Sequence, residues 1–258
     1  MKVTKLFVHP IKSLKCVPVK QIQVHPGGVR GDREWMVIGA TNRFVSQREK
    51  PVMGQIGVVV DEDGVTLDYQ SHIVRFDLSE GLGDRLQAEI WNDSVAVERV
   101  SDKVDQFLTD VIGAPMKLVR KSGPRMMPEK YGEPRDLKFV DGLPVLLISE
   151  ESLQFLNTKV DHTIEHQRFR SNIWVEGGSA PHWEDSLTDF KLNQISFSNV
   201  KRCSRCKIVN VDTGSGQVMK EPLKTLAGYR LKDRKILFGV NLVPDRSGIV
   251  RIGDELSE

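Results

Sequence analysis

Three cysteines among 258 residues are too few for a disulfide framework: any pairing leaves one thiol over, so reduced thiols are expected. Long apolar runs are missing as well. Nothing approaches the roughly 20 residues of a membrane helix, and Met1-Lys2-Val3-Thr4-Lys5 is not followed by the apolar core of a signal peptide. The expectation is a soluble, cytoplasmic protein without a membrane partner. Nor is there an excess of charge of one sign: 37 Lys and Arg stand against 35 Asp and Glu, a net +2. That balance supports neither a nucleic-acid wrapper nor a polybasic membrane binder, and partners must be sought at local sites. Internal repeats and low-complexity tracts are absent too.

What is present is an ordinary globular composition, 39% apolar, in a chain long enough for one large or two modest domains. Short β-prone segments dominate. Residues 3–8, 19–24, 35–38, 55–60, 65–69, 73–78, 86–91 and 95–100 read as strands in quick succession, with Glu62-Asp63-Gly64 as a hairpin turn. That spacing predicts a β barrel or sandwich for the first hundred residues. A helix is expected over 102–112, with Ser101 as N-cap, Val104, Phe107, Leu108 and Val111 on one face and Gly113-Ala114-Pro115 closing it.

Residues 121–138 form a polar loop rich in Pro and Gly, read as either a mobile linker or a cover over a site. Beyond it, strands are expected at 143–148, 173–175, 192–196, 207–211, 236–242 and 248–252, with helices at 150–157, capped by Ser149, and at 223–231. His162 and His166 have helical ligand spacing but lie in a polar segment and read as solvated.

Two of the three cysteines sit together in Arg202-Cys203-Ser204-Arg205-Cys206-Lys207. The pair could be a zinc half-site, but a structural zinc needs about four ligands. It could be a redox dithiol, yet Ile208-Val209-Asn210-Val211 predicts a following strand rather than the helix that motif opens. A single reactive thiolate beside Arg202, Arg205 and Lys207 fits better, since cations stabilise a sulfur anion and attract an anionic cofactor. Lys12, Arg33 and Arg170, in His9-Pro10-Ile11-Lys12-Ser13, Gly31-Asp32-Arg33-Glu34-Trp35 and Arg168-Phe169-Arg170-Ser171-Asn172, could together grip a phosphate or could be ordinary surface ion pairs, a reading that Asp32 beside Arg33 supports.

Taken in order, Val8-His9-Pro10-Ile11-Lys12-Ser13, Asp32-Arg33-Glu34-Trp35, Phe139-Val140-Asp141-Gly142-Leu143-Pro144, Arg168 to Asn172, Cys203-Ser204-Arg205-Cys206 and Glu221-Pro222-Leu223-Lys224-Thr225-Leu226 make the chain resemble MOSC-domain proteins. The resemblance is closest to YcbX-like proteins and the mitochondrial amidoxime reducing component, and it covers nearly the whole chain. It implies a mainly β, α+β fold of two barrel-like domains: a MOSC N-terminal domain over 1–118 and a MOSC domain over 119–258. It implies a molybdenum cofactor, a molybdopterin carrying Mo, with Cys206 as the protein's metal ligand. Lys12, Ser13, Arg33, Asp141, Arg170, Asn172, Ser204 and Arg205 match cofactor-contacting positions, and Cys206 and Asp141 carry the catalytic expectation.

The activity implied is reduction of N-hydroxylated substrates such as hydroxylamines, amidoximes or N-hydroxylated bases. The chain shows no cysteine-rich iron–sulfur module, so either electrons are expected from a separate ferredoxin, flavodoxin or reductase, with the basic 121–138 loop as its docking surface, or the sequence is a piece of a longer protein that carries such a module. A carrier of cofactor or sulfur without turnover is the alternative.

Overall fold

Apolar and polar residues alternate along the β-prone segments, so strands such as Gln21–His25, Arg85–Ile90 and Asp189–Leu192 bury one face and leave the other open. The computed structural model describes residues 1–257. Its strands and three α-helices make the mainly β, α+β fold with barrel-like sheets that was expected. The largest sheet has nine strands. Its main path runs Leu256–Ser257, Asp189–Leu192, Ile195–Ser204, Lys235–Pro244, Val145–Ser149, Ile173–Glu176, Lys2–Val8 and Val17–Val19, and Leu231–Lys232 pairs off it. Only Val145–Ser149 and Ile173–Glu176 pair in parallel.

A four-stranded sheet joins Trp35–Gly39, Met116–Lys121, Asp93–Arg99 and Arg85–Ile90, while a meander of Gly57–Val60, Gly64–Tyr69 and His72–Asp77 packs beside it. One core of Val3, Leu6, Leu147, Phe197 and Leu242 lies under the large sheet; another holds Trp35, Phe76, Phe107 and Leu108.

Strand pairing crosses between the two stretches of the sequence. Met116–Lys121 runs through residue 118, and Lys2–Val8 pairs with Ile173–Glu176 across most of the chain. Both halves of the sequence are therefore woven into one sheet, which fixes the Lys12 turn beside the Arg170 turn.

Local chemistry explains most elements. Asp61 Oδ1 accepts from the amides of Asp63 and Gly64 at 3.0 and 2.9 Å, closing the expected hairpin. The Asp102–Ile112 helix buries Val104, Phe107 and Leu108 and ends at Gly113, whose φ of 75° is the left-handed cap glycine allows. Ser101 occupies the N-cap backbone position, but its hydroxyl meets Glu80 rather than a helix amide. Ser149 does cap its helix, accepting from the Ser152 amide at 3.2 Å.

Two expected strands are corrected. Residues 192–196 straddle a hairpin, because Asn193 at φ 56° turns the chain between Asp189–Leu192 and Ile195–Ser204. Residues 207–211 form a 3₁₀ turn, Lys207–Asn210, despite their β-branched side chains. There Arg168 Nε donates to the Val209 carbonyl at 2.8 Å, and Asn210 Nδ2 donates to the Lys220 carbonyl at 3.1 Å. These tertiary bonds override the strand propensity. His166 is not solvated either: its Nε2 lies 2.8 Å from Glu150 Oε2 and its ring packs on Trp174.

Gly239 sets how closely the Lys235–Pro244 and Val145–Ser149 strands approach. Its φ is +79°, and a Cβ there would stand 2.6 Å from Ile148 Cγ1 and 2.8 Å from the Leu147 carbonyl oxygen. Backbone strain and overpacking together predict that Gly239→Ala loses about 2–4 kcal/mol, checked by urea unfolding. An unchanged midpoint would mean the strands can part freely.

Candidate functional site

Backbone strain gathers where the polar side chains converge. Ser13, Arg33 and Arg170 have φ of 69°, 51° and 56°, left-handed values that cost a non-glycine residue about 1–2 kcal/mol each. Such strain persists only where the surroundings fix it. Here the Lys12 amide donates to the Trp35 carbonyl at 2.9 Å, the Arg33 amide to the His9 carbonyl at 2.7 Å, and the Arg170 amide to the Gln167 carbonyl at 3.2 Å. Asp32 Oδ1 accepts from the His9 amide at 2.7 Å, tying two of the turns together.

The three turns aim Lys12, Arg33 and Arg170 into one cleft, which Asp141, Asn172, Ser204, Arg205 and Cys206 also line. Its enclosed part is about 120 Å³, similar to a cavity that holds one small ring. Lys12 and Asn172 are buried at its base, whereas Asp141, Ser204 and Cys206 are exposed at its rim. A phosphate-sized group fits inside; the body of a larger ligand would lie across the rim.

Charges at the base are only partly paired. Lys12 Nζ donates to the Phe139 carbonyl at 2.9 Å and pairs closely with Asp141 Oδ1. Burial nevertheless brings Lys12 down to about 8, because Asp141, with 67% of its side chain exposed, offsets that effect only in part. Desolvation by the cleft walls pushes the Asp141 carboxyl up even at the rim, but the charge and hydrogen bond of Lys12, with Arg33 and Arg170, bring it well below the usual range.

Arg33 Nη1 pairs with Asp32, and its Nη2 donates to the Arg170 carbonyl at 2.9 Å. Arg170 Nη1 donates to the Leu14 carbonyl at 2.8 Å, but its Nη2 is buried without a partner. Burial first, then the neighbouring Arg33, lowers Arg170 to about 10. An unpaired buried guanidinium nitrogen beside two further cations is the donor set a phosphate satisfies. The ordinary-ion-pair reading holds for the Arg33–Asp32 contact but leaves that nitrogen unexplained. His9 is a core histidine: burial, then Arg33 and Arg170, lower it well below its ordinary value, and Nε2 lies 3.3 Å from the Ser171 carbonyl.

The sulfur rim differs from expectation in its details. Arg205 Nη1 lies 3.0 Å from Cys203 Sγ, and its Nη2 donates to the Phe169 carbonyl, so this cation serves Cys203 and not Cys206. Arg202 turns away to Asp185 at 3.3 Å. The cation at Cys206 is Arg48, with Nη1 3.8 Å from Sγ. Arg48 stacks on Trp91, whose Nε1 donates to Asp141 Oδ1 at 3.3 Å. No motif marked Arg48 or Trp91, and only folding brings these residues of the first hundred to the cysteine loop.

Asn241 also lines the cleft. Ser13 does not line it: the residue is buried, and its carbonyl accepts from Gln47 Nε2 at 2.9 Å, so its part is to shape the turn that aims Lys12. Among the described residues no three His, Cys, Asp or Glu side chains gather as metal ligands, so nothing completes a zinc half-site at the cysteine pair. A metal here would have to bring most of its own ligands.

The 121–138 loop is tied to the rest of the fold and contributes no residue to the lining of the cleft. Arg125 is buried, donating to the Lys138 and Val140 carbonyls at 2.8 and 2.7 Å and to Asp93 at 2.9 Å, while Lys121 pairs with Asp136 and Lys138 with Glu34. These three cations are neutralised within the fold, while Lys130 and Arg135 of the same loop take part in no ion pair among the described residues.

Known proteins resemble this chain along both halves of its length. Residues 1–115 match the family of MOSC N-terminal beta barrel domains and residues 134–257 match the MOSC domain family. The chain is 32% identical to "Molybdenum cofactor sulfurase" of Oryza sativa subsp. japonica over 92% of its own length, but spans only 32% of that protein. It is 28% identical to "Mitochondrial amidoxime-reducing component 1" of Homo sapiens, with 98% of this chain and 81% of that one covered, and likewise 28% identical to the same component of Danio rerio, with 98% and 83% covered. The chain thus spans about a third of the sulfurases and about four-fifths of the reducing components. It belongs to the MOSC-domain proteins, an N-terminal MOSC barrel joined to a MOSC domain.

Proposed function

We propose that this protein holds a molybdenum cofactor in the cleft and reduces N-hydroxylated compounds, with segment 1–118 supplying one wall and 119–258 the metal ligand. The observation carrying this reading is that the exposed Cys206 sulfur shares one cleft with Lys12, Arg33 and Arg170. Lys12, Arg33 and the unpaired Arg170 Nη2 would hold the cofactor's phosphate; Asn172, Ser204 and Asp141 offer hydrogen-bond partners to a pterin; Cys206 offers the soft thiolate that dithiolene-bound molybdenum favours. When bound, the cofactor supplies two-electron oxygen-atom chemistry.

The balance is simple: an N–OH compound takes up two electrons and two protons, its N–O bond breaks, and an N–H compound and water leave. The chain's own residues bind and orient. Asp141, ionised at the rim and held by Lys12 and Trp91, accepts hydrogen bonds from a substrate's N–H groups. Lys12 Nζ keeps a proton at the cleft base until the pH approaches 8. Cofactor-loaded protein, given a chemical electron donor and benzamidoxime, is expected to release benzamidine; no product with any of a panel of N-hydroxylated compounds would reject the reading.

A separate electron donor fits one face in particular. Lys207, the residue after Cys206, is exposed around a hollow with Lys220 and Lys224, and none of the three takes part in an ion pair among the described residues. Clustered, unneutralised cations steer an acidic partner at rates that fall with salt. Turnover driven by an acidic ferredoxin or flavodoxin is therefore expected to slow about tenfold or more between low and physiological ionic strength. Lys207→Glu with Lys220→Glu should raise the donor's KM and leave KM for the N-hydroxylated substrate in place. A salt-independent rate would remove this docking face.

The likeness to cofactor sulfurases favours a second reading, a carrier that delivers cofactor or sulfur from the exposed Cys206. A carrier activates a cofactor-free molybdoenzyme when mixed with it and shows no reductase turnover.

A further inference from the structure

Arg48 is the odd cation beside the cysteine rim, outside the lining of the cleft itself. It has no carboxylate partner among the described residues; its Nε donates to Ser46 Oγ at 3.1 Å, its guanidinium carbon lies 4.5 Å from the Trp91 ring centroid, and Nη1 reaches Cys206 Sγ at 3.8 Å. Trp91 is equally unusual. It is 42% exposed, it has a left-handed φ of 56°, and its indole leans on Phe44 with ring centroids 5.1 Å apart while Nε1 meets Asp141. A large aromatic side chain on a strained turn, open to water and facing a cleft, is a surface built to receive something flat.

What rests on it now is a flat, cationic group of one carbon and three nitrogens, poised at the sulfur assigned to the metal. An amidinium has the same planarity, the same delocalised charge and the same outward-pointing N–H donors. Asp141, at the edge of the indole, is a carboxylate able to accept two of those hydrogens.

We propose that Trp91 and Asp141 form a subsite for amidine and guanidine groups, and that the Arg48 side chain is its resident occupant, displaced when an N-hydroxylated amidine or its amidine product binds. This rests on the reductase reading for its physiological meaning and narrows the substrate class to planar N-hydroxylated amidines and guanidines over aliphatic hydroxylamines. Stacking on an exposed indole face is a weak contact, so exchange of one cation for another is facile. Ser46 anchors Arg48 from below, so the guanidinium can swing aside without unfolding its loop.

The test is binding of benzamidine to the full chain without cofactor, with affinities of all variants measured by calorimetry and the side-chain N–H NMR resonance of Trp91, assigned by its loss in Trp91→Phe, as the local probe. Benzamidine is expected to shift that resonance saturably and benzamide, which lacks the charge, to leave it unmoved. Arg48→Ala should bind benzamidine several-fold more tightly because the competitor is gone, Trp91→Ala should bind it several-fold more weakly, and Trp91→Phe should fall between. Thermal melting of each variant confirms that it is folded. Equal or weaker binding in a folded Arg48→Ala, or benzamidine binding that leaves Trp91 unperturbed, overturns the proposal.

The loaded enzyme separates this from the parent reading. If benzamidoxime is reduced and Arg48→Ala and Trp91→Ala leave its KM unchanged, the reductase stands and the subsite falls. If benzamidine binds as described and nothing is reduced, the subsite stands and the reductase reading falls.

Discussion

Replacing Cys206 with alanine is expected to abolish reductase turnover while leaving the fold and part of the cofactor in place. The side chain is exposed, and among the described residues no hydrogen bond except the long contact from Arg48 uses its sulfur. Stability should therefore change by no more than about 0.5 kcal/mol, the range of ordinary surface substitutions. The anionic end of the cofactor would still meet Lys12, Arg33 and Arg170, so metal analysis should find molybdenum retained at a reduced level. Turnover is a different matter: loss of a residue that merely orients a ligand costs about 10–100-fold, and loss of the ligand itself must exceed that.

Cys203→Ala is the matched comparison. Its sulfur sits 3.0 Å from Arg205 Nη1, and Arg205 remains tethered to the Phe169 carbonyl without it, so a loss of less than about tenfold is expected. Steady-state rates and molybdenum content of the two variants decide the matter. A live Cys206→Ala beside a dead Cys203→Ala would exchange their roles.

The sequence displayed the strands and the basic motifs but not what holds them together. Alternation is a local property, so the meander from Gly57–Val60 to His72–Asp77 could be read from its residues, as could the Ser149-capped helix. The 3₁₀ turn at Lys207–Asn210 could not be. Its β-branched side chains argue for a strand, and what bends it is Arg168, some 40 residues earlier. The same limit governs the site. Lys12, Arg33, Arg170 and Cys206 stand in recognisable motifs, and the structure brings them to one cleft.

Arg48 and Trp91 belong to no motif, and the strand-pairing that carries them to the cysteine loop is non-local. Arg205 misled because sequence adjacency to Cys206 suggested contact, whereas its backbone, bonded to the Ile236 carbonyl at 2.7 Å, points the guanidinium back to Cys203. Ser13 misled for a related reason: its left-handed φ turns the backbone so that its neighbour, not Ser13 itself, enters the cleft.

Cofactor retention should fall as pH rises through about 8, and the group responsible is Lys12. Burial brings its ammonium from 10.5 to about 8, so in the empty cleft the folded chain loses that proton while the unfolded chain still keeps it. Between 8 and 10.5 the unfolded state binds more protons, and this lysine therefore makes the empty fold more stable as pH rises across that window and less stable as pH falls through it. An anionic ligand reverses the preference, because a phosphate is attracted to the ammonium and not to the amine. Binding should be flat below about 7.5 and weaken by at most about tenfold per pH unit above 8, the slope of one coupled proton.

Lys12→Arg carries a charge that does not titrate near 8, so its retention curve should stay flat through 8 to about pH 9, short of the range where Arg170 titrates; Lys12→Met should retain little cofactor at any pH and show no slope near 8. Asp141→Asn removes the carboxylate that raises Lys12 and should move the inflection below 8. Molybdenum content after gel filtration at successive pH values reads all four curves. If Lys12→Arg keeps the wild-type inflection, the proton belongs to another group, and the cleft base does not hold the anion through this lysine.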